Sequence, residues 1–404
     1  MKNGTYTLNF EDVCELVGGS QPSKDDFIYE PKDGYIRLIQ VRDFRTDKFI
    51  TYIPKDKARR FCNKEDIMIG RYGPPIFGIF KGLEGAYNVA LMKAVVNEKI
   101  CNKDYFYWFL NTDSLRQFVE HSSKRAAGQD GVRKELLDKY PVFVPPIPEQ
   151  QGIVSILDEA FAAIAKAKAN AEQNLKNAKE LFESYLQGVF ENGNWEEKVL
   201  GDLCQLITKG SSPKWQGMKY VDEPGILFVT SENVGEGKLL LETRKYVEEK
   251  FNQKDKKSIL KKGDVLTNIV GASIGRTAIY DIDDVANINQ AVCILRCNSK
   301  LINNVFLMNL LNSPFLKKIL HDNEVNTARA NLSLGFFNKL YVPCPSLEEQ
   351  EAIVRQLEAL RAETQKLEAV YQKKIADLEE LKKSILQNAF SGELKTEITE
   401  TQMI

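Results

Sequence analysis

Two stretches of the chain place hydrogen-bonding side chains at the turns of apolar hairpins. Arg71 and Tyr72 stand in "DIMIGRYGPPIFGIF", and Asn268, Ser273 and Arg276 stand in "GDVLTNIVGASIGRTAIY". Arg, Asn and Gln match base edges bidentately in the major groove of DNA, whereas Lys and Ser suit phosphates. Two polar loops nearer the start of each region, "SQPSK" and "SSPKW", add Ser20, Gln21 and Lys24 on one side and Ser212 and Lys214 on the other. Arg42, Lys124, Arg125, Thr327 and Arg329 extend the set. Any one of these alone is an ordinary solvated side chain. Their weight comes from recurring at equivalent points of two regions.

Signatures of catalysis are missing beside them. No phosphate-binding G-x-x-x-x-G-K-[S/T] loop occurs, and "GEGK" at Gly235 lacks the spacing. Neither "GPPIF" at Gly73 nor "VPPIP" at Val144 is the Asp/Asn-Pro-Pro-aromatic motif with which adenine methyltransferases grip a flipped base. G-x-S-x-G and H-E-x-x-H are also absent. The only histidines are His121 and His321, both in polar helical surroundings, too few for a usual triad or zinc site. The expectation is a chain without a catalytic site and without a metal.

The elements that must position the loops are duplicated. "EDVCELV" at Glu11 returns as "GDLCQLI" at Gly201, and "YNVALMKAVVN" at Tyr87 returns as "INQAVCILRCN" at Ile288. "FLNTDSL" at Phe109 answers "LLNSPFL" at Leu310. Then "VPPIPEQQGIVSILDEA" at Val144 answers "VPCPSLEEQEAIVRQLEA" at Val342. From Glu149 onward roughly a third of positions match at a constant offset, while the preceding regions match only in short framework pieces. The unit is a variable domain followed by a better-matched helix, used twice.

The boundaries read as a domain over 1–147, a helix over 148–192, a second domain over 193–346, a helix over 347–393 and a tail over 394–404. Proline disfavours helix in the residue before it, so each domain ends extended, and acidic residues then suit the helix N-terminus. A heptad seam predicts the helix–helix interface: Ile153, Leu157, Ile164 and Leu181 in the first helix. In the second it is Ile353, Leu357, Leu360, Leu367, Leu378, Leu381 and Ile385. The first copy of the seam is rich in alanine, which permits close approach. Each helix would be about 60 Å long, a ruler more than a cap. The expected class is α+β: two α/β domains rich in short strands, each followed by a long helix.

Composition sets the outer bounds. Hydrophobic residues make up 43% and charged residues 27%, ordinary for a globular chain. With 55 basic and 56 acidic side chains, nucleic acid would have to be held by local patches and not by an overall field. The seven scattered cysteines read as reduced core thiols, and neither a signal core nor a long apolar run occurs. A soluble, cytoplasmic protein is expected, with no membrane partner.

The paired proline-glutamine helix starts, the hairpin "GDVLTNIVGASIGRTAI" and the ending "LKKSILQNAFSGEL" at Leu381 resemble the specificity subunits of type I restriction-modification systems. The resemblance covers essentially the whole chain. It implies two target recognition domains, each reading one half of a bipartite asymmetric site in double-stranded DNA. It implies helices packed as an antiparallel coiled coil with pseudo-two-fold symmetry, fixing the spacer. Implied partners are two methyltransferase (modification) subunits, which carry S-adenosylmethionine in their own sites, and motor-nuclease (restriction) subunits; this chain itself would bind no cofactor. Two other readings are disfavoured on the residues alone: a coiled-coil interaction scaffold without DNA recognition, which the heptads would permit but the matched hairpin donors argue against, and an enzyme in its own right, which the missing motifs argue against.

Overall fold

The computed structural model describes residues 6–72, 76–123, 131–222, 225–324, 330–391 and 393; the expected tail, 394–404, lies outside them. The chain divides into two compact units, residues 1–170 with 374–404 and residues 171–373.

In the first unit the β-branched and apolar runs form short strands. Cys14–Gly18, Leu91–Val96, Ile67–Gly70 and Ile79–Phe80 make an antiparallel sheet in that order. A second sheet runs Tyr52–Pro54, Tyr35–Ile39, Gly85–Tyr87, Phe61–Cys62, with its central pair parallel. Tyr6–Asn9 pairs with Pro141–Val144, so the start of the domain is fastened to the strand that leads into the first long helix. Helices Lys103–Leu110 and Asp113–Ser123 pack Tyr105, Phe106, Phe109 and Leu115 into the core.

The second unit repeats this plan. Cys204–Lys209, Val292–Cys297, Val265–Asn268 and Thr277–Ile279 form the antiparallel sheet. Ile226–Val229 and Ala286–Ile288 form the parallel pair of the other, and Glu197–Val199 pairs with Tyr341–Pro343. The antiparallel sheet and the fastening strand pair recur with the same topology, while the other sheet differs at its edges: its order is Tyr220–Val221, Tyr246–Val247, Ile226–Val229, Ala286–Ile288, so its parallel pair stands at one end and not in the centre.

The two long helices span Ile147–Asn192 and Leu347–Ser391. Within the first unit they pair antiparallel: Lys168 donates to Glu379 at 2.6 Å, and the Lys382 ammonium stands 5.2 Å from the Phe161 ring. The second unit has the same arrangement, with Tyr185 donating to Gln356 at 3.2 Å and Arg361 placed 4.8 Å from the Phe182 ring. Each unit's core takes the start of one long helix and the end of the other. Phe390 meets Tyr105 at 4.9 Å in the first unit, and Phe190 meets Phe306 at 5.4 Å in the second.

Burial corrects part of the heptad reading. Ile153, Leu157, Ile164 and Leu357 are buried and Ile353, Leu360, Leu378 and Ile385 half-buried. Leu181, Leu367 and Leu381 are instead 49%, 41% and 48% exposed. The helices bury Phe161, Ala171, Ala178, Leu186 and Phe190, and in the second Thr364, Leu386 and Ala389. That spacing follows 3.6 residues per turn. A 3.5-residue template drifts about 20° per heptad against it, so the later positions rotate out of the seam.

All seven cysteines are free, and no described helix is long and apolar enough to cross a membrane. His121 and His321 are exposed on their helices.

Candidate functional site

In each unit the candidate loops are built around one turn. In the first unit it is Asn88–Ala90, between strands Gly85–Tyr87 and Leu91–Val96. The Asn88 side-chain oxygen accepts the Ala90 N–H at 3.1 Å, an Asx turn that fixes the bend locally. The Asn88 N–H donates to the Ile39 carbonyl at 3.1 Å, and Ala90 C=O accepts the Arg71 N–H at 2.8 Å. Ser20 N–H reaches Tyr87 C=O at 3.2 Å, and Val132 N–H reaches Arg71 C=O at 3.1 Å. Four chain segments distant in sequence thus meet at one turn.

The second unit does the same with Asn289–Ala291. Asn289 accepts from Ala291 N–H at 3.0 Å, its own N–H donates to Val229 C=O at 3.1 Å, and Ala291 C=O accepts Ile269 N–H at 2.9 Å. Leu332 N–H returns to Ile269 C=O at 2.9 Å, and Gly271 N–H to Ala330 C=O at 2.9 Å. Gly19 and Gly210 are required by this convergence. A Cβ on Gly19 would stand 2.0 Å from the Asn88 carbonyl oxygen, and one on Gly210 1.8 Å from that of Ile288.

Around these turns the structure distributes the sequence candidates as follows. Ser20 is half-buried, and Gln21 and Lys24 are exposed. The Arg71 guanidinium lies 5.0 Å from the centre of the Tyr72 ring, which orients both half-buried side chains together. Arg42 is exposed on the turn that follows Ile39, with the Phe49 carbonyl 3.3 Å from one guanidinium nitrogen. In the second unit Ser212 and Ser273 are half-buried and Lys214 and Arg276 exposed. Lys124, Arg125, Thr327 and Arg329 lie outside the described residues.

Asn268 is a correction. Its side chain is completely buried, and its NH2 donates to the carbonyls of Ser231 at 2.9 Å and Val234 at 3.4 Å. The amide is turned inward because it closes the loop after strand Ile226–Val229, and it offers nothing to an external base. Alternation within strand Val265–Asn268 does not reveal this, since all four of its residues are buried.

Three features of the site region escaped sequence reasoning. Trp215, beside Lys214 on the short turn Lys214–Gln216, is 80% exposed. The turns Asn88–Ala90 and Asn289–Ala291 lie within matched framework segments, yet their central residues differ, Val89 in one and Gln290 in the other. Asp43, next to Arg42, is buried with one carboxylate oxygen lacking a hydrogen bond. Burial raises its pKa, against the opposing pull of the Gln40 N–H and of Arg37 and Arg42. The second unit has the neutral Asn233 in the matching turn, where its oxygen accepts Thr230 N–H at 3.0 Å as Asp43 accepts Gln40 N–H at 3.1 Å.

Among the described residues no group of three His, Cys, Asp or Glu side chains is placed to hold a metal. What the loops present is a set of donors, a guanidinium–phenol pair and an exposed indole, on a rigid frame. Such a surface can recognise a charged, hydrogen-bonding polymer.

The model of one protein family, described as the type I restriction modification DNA specificity domain, matches residues 5–176 and again 192–378. The chain is similar to the type I restriction enzyme MjaVIII specificity subunit of Methanocaldococcus jannaschii, 24% identical over 400 residues, covering 95% of this chain and 91% of the relative. It is also similar to the EcoBI specificity subunit of Escherichia coli, 27% identical over 418 residues, with 96% and 85% covered. Two solved structures share the fold. A chain of a type I R-M system has a TM-score of 0.78 at 18% identity, with 97% of this chain and 98% of that one covered. The HsdS subunit from Thermoanaerobacter tengcongensis has a TM-score of 0.63 at 18% identity, with 98% of each covered.

Proposed function

The chain belongs to the type I restriction-modification DNA specificity family, and from that premise we propose that each unit reads one half of a bipartite, asymmetric double-stranded DNA target. The observation that carries this reading is the duplicated loop cluster. One backbone frame is built twice, and it presents Arg71 and Tyr72 in one unit and Ser273 and Arg276 in the other. A frame that stays while its side chains change is what two different half-sites require.

The long helices set the distance between half-sites, as dimer geometry does in other DNA readers. Two methyltransferase (modification) subunits dock on this chain and carry S-adenosylmethionine, the methyl donor, in their own active sites, where a target adenine is flipped out of the duplex. Motor-nuclease (restriction) subunits complete the complex. This chain is the non-catalytic reader and acts in the cytoplasm. The scaffold reading without DNA is not favoured, because the family match covers both copies of the variable domain.

The test is selection from randomised duplexes by the full chain assembled with modification subunits. Two defined half-sites at a fixed separation are expected, with affinity falling steeply as salt rises. Equal recovery of every duplex would overturn the reading.

A further inference from the structure

The turn at the centre of each loop cluster holds its flanks constant and varies its middle. Asn88-Val89-Ala90 in the first unit corresponds to Asn289-Gln290-Ala291 in the second. In both, the asparagine caps the alanine N–H, the asparagine N–H is taken by the neighbouring parallel strand, and the alanine C=O is taken by the hairpin strand. A glycine is forced beside each turn by contact with its backbone. So much restraint fixes where the central side chain stands.

Val89 and Gln290 are both half-buried. Among the described residues the Gln290 amide meets no hydrogen-bond partner. It lines a depression of about 460 Å³ with Ser231, Val270, Gly271, Ala272 and Ala291. A planar amide carried on a rigid turn, with donor and acceptor both unspent, has the geometry that pairs bidentately with adenine N6 and N7 in the major groove. An apolar side chain at the same place suits the methyl group of thymine.

We infer that the central residue of this turn determines specificity in each domain, with Gln290 reading one adenine-containing base pair of one half-site and Val89 making an apolar contact in the other. This rests on the DNA-reading function proposed above and assigns it to particular side chains.

The test repeats the randomised-duplex selection with the full complex and three substitutions, with thermal melting to establish folding. Gln290→Ala lowers discrimination at a single base pair about tenfold and leaves every other position unchanged. Gln290→Glu keeps the shape but leaves only acceptors, and moves the preference at that same pair toward cytosine, whose N4 donates. Val89→Gln alters one pair of the opposite half-site. A selective parent whose motif survives all three changes overturns this inference alone. Uniform weakening across all sequences also overturns it, since that assigns the amide to phosphate contact. A parent that selects no sequence overturns the function on which the inference rests.

Discussion

The side-chain oxygen of Gln150 accepts the backbone N–H of Asn102 at 2.6 Å, while the Gln150 NH2 donates to the carbonyls of Ile100 at 2.9 Å and Pro145 at 2.6 Å. Asn102 is itself the N-cap of helix Lys103–Leu110, accepting from the N–H groups of Asp104 and Tyr105. The second unit repeats the joint with Gln350, Asn303, Leu301 and Pro345. Both glutamines are completely buried. The long helix is thus locked to its domain by one amide that satisfies three otherwise stranded backbone groups.

Replacing that amide should therefore loosen the joint. Gln150→Ala strands buried donors and acceptors at about 1–3 kcal/mol each, and urea unfolding should show the first unit melting earlier. Gln150→Glu keeps the acceptor for Asn102 but loses donors to two carbonyls. Its loss should be greatest at neutral pH and smaller in acid, where the carboxyl can donate. An unchanged midpoint for both variants would disprove the lock.

Two carboxyls of the first unit should respond to pH with opposite sign. Asp43 has its folded pKa raised by burial, so it weakens folding where ionised, and the penalty vanishes below the unfolded value. Asp43→Asn should raise the melting temperature at pH 7 and lose that advantage as pH falls below about 4. In Asp66, burial is outweighed by the Asn63 N–H and by Lys93 and Lys103, and the folded pKa is lowered. Asp66→Asn should cost stability at pH 7, with the cost fading as pH falls through the lowered value. Melting curves of parent and variants from pH 3 to pH 8 check both signs.

The matching position in the second unit is more strongly paired. Asp264 is 1% exposed and receives Arg296 Nε and Nη2, each at 2.7 Å, with the same guanidinium also donating to Ile259 C=O. Removing one partner of a buried pair costs about 3–5 kcal/mol, so Asp264→Ala should destabilise more than Asp66→Ala does. Chemical denaturation of the two variants side by side decides it.

Trp215, exposed beside Lys214, offers an optical test of the proposed DNA face. The chain has three tryptophans; Trp108 donates to Asp158 at 3.0 Å and Trp195 packs against Phe190. Adding target duplex to the complex should quench or shift the emission of the exposed indole, and Trp215→Ala should abolish that change. The variant should bind DNA several-fold more weakly with an unaltered melting temperature. A fluorescence change that persists in Trp215→Ala would place the indole off the DNA face.

Replacing residues 1–147 with another family member's first domain should change one half-site and leave the other and the spacing intact. Sequencing of methylated sites from cells carrying the chimaera reads this out. A change in both half-sites would refute two independent readers.

The sequence by itself determined the duplication, the paired strands and hairpins, the two long helices with their proline-marked starts, and the family. These are encoded locally, in apolar periodicity and turn residues, so they survive reading one segment at a time. The Glu-Gln helix start is plain in the sequence, but what Gln150 and Gln350 hold is not, because Asn102 and Ile100, and likewise Asn303 and Leu301, lie about fifty residues away. Only the tertiary structure turned Asn268 inward, rotated Leu181, Leu367 and Leu381 out of the seam, and sent Phe190 and Phe390 to close the cores against Phe306 and Tyr105. Side-chain direction and core closure depend on what arrives from elsewhere in the chain, and on helical twist accumulated over many turns. Neither is a property of neighbouring residues.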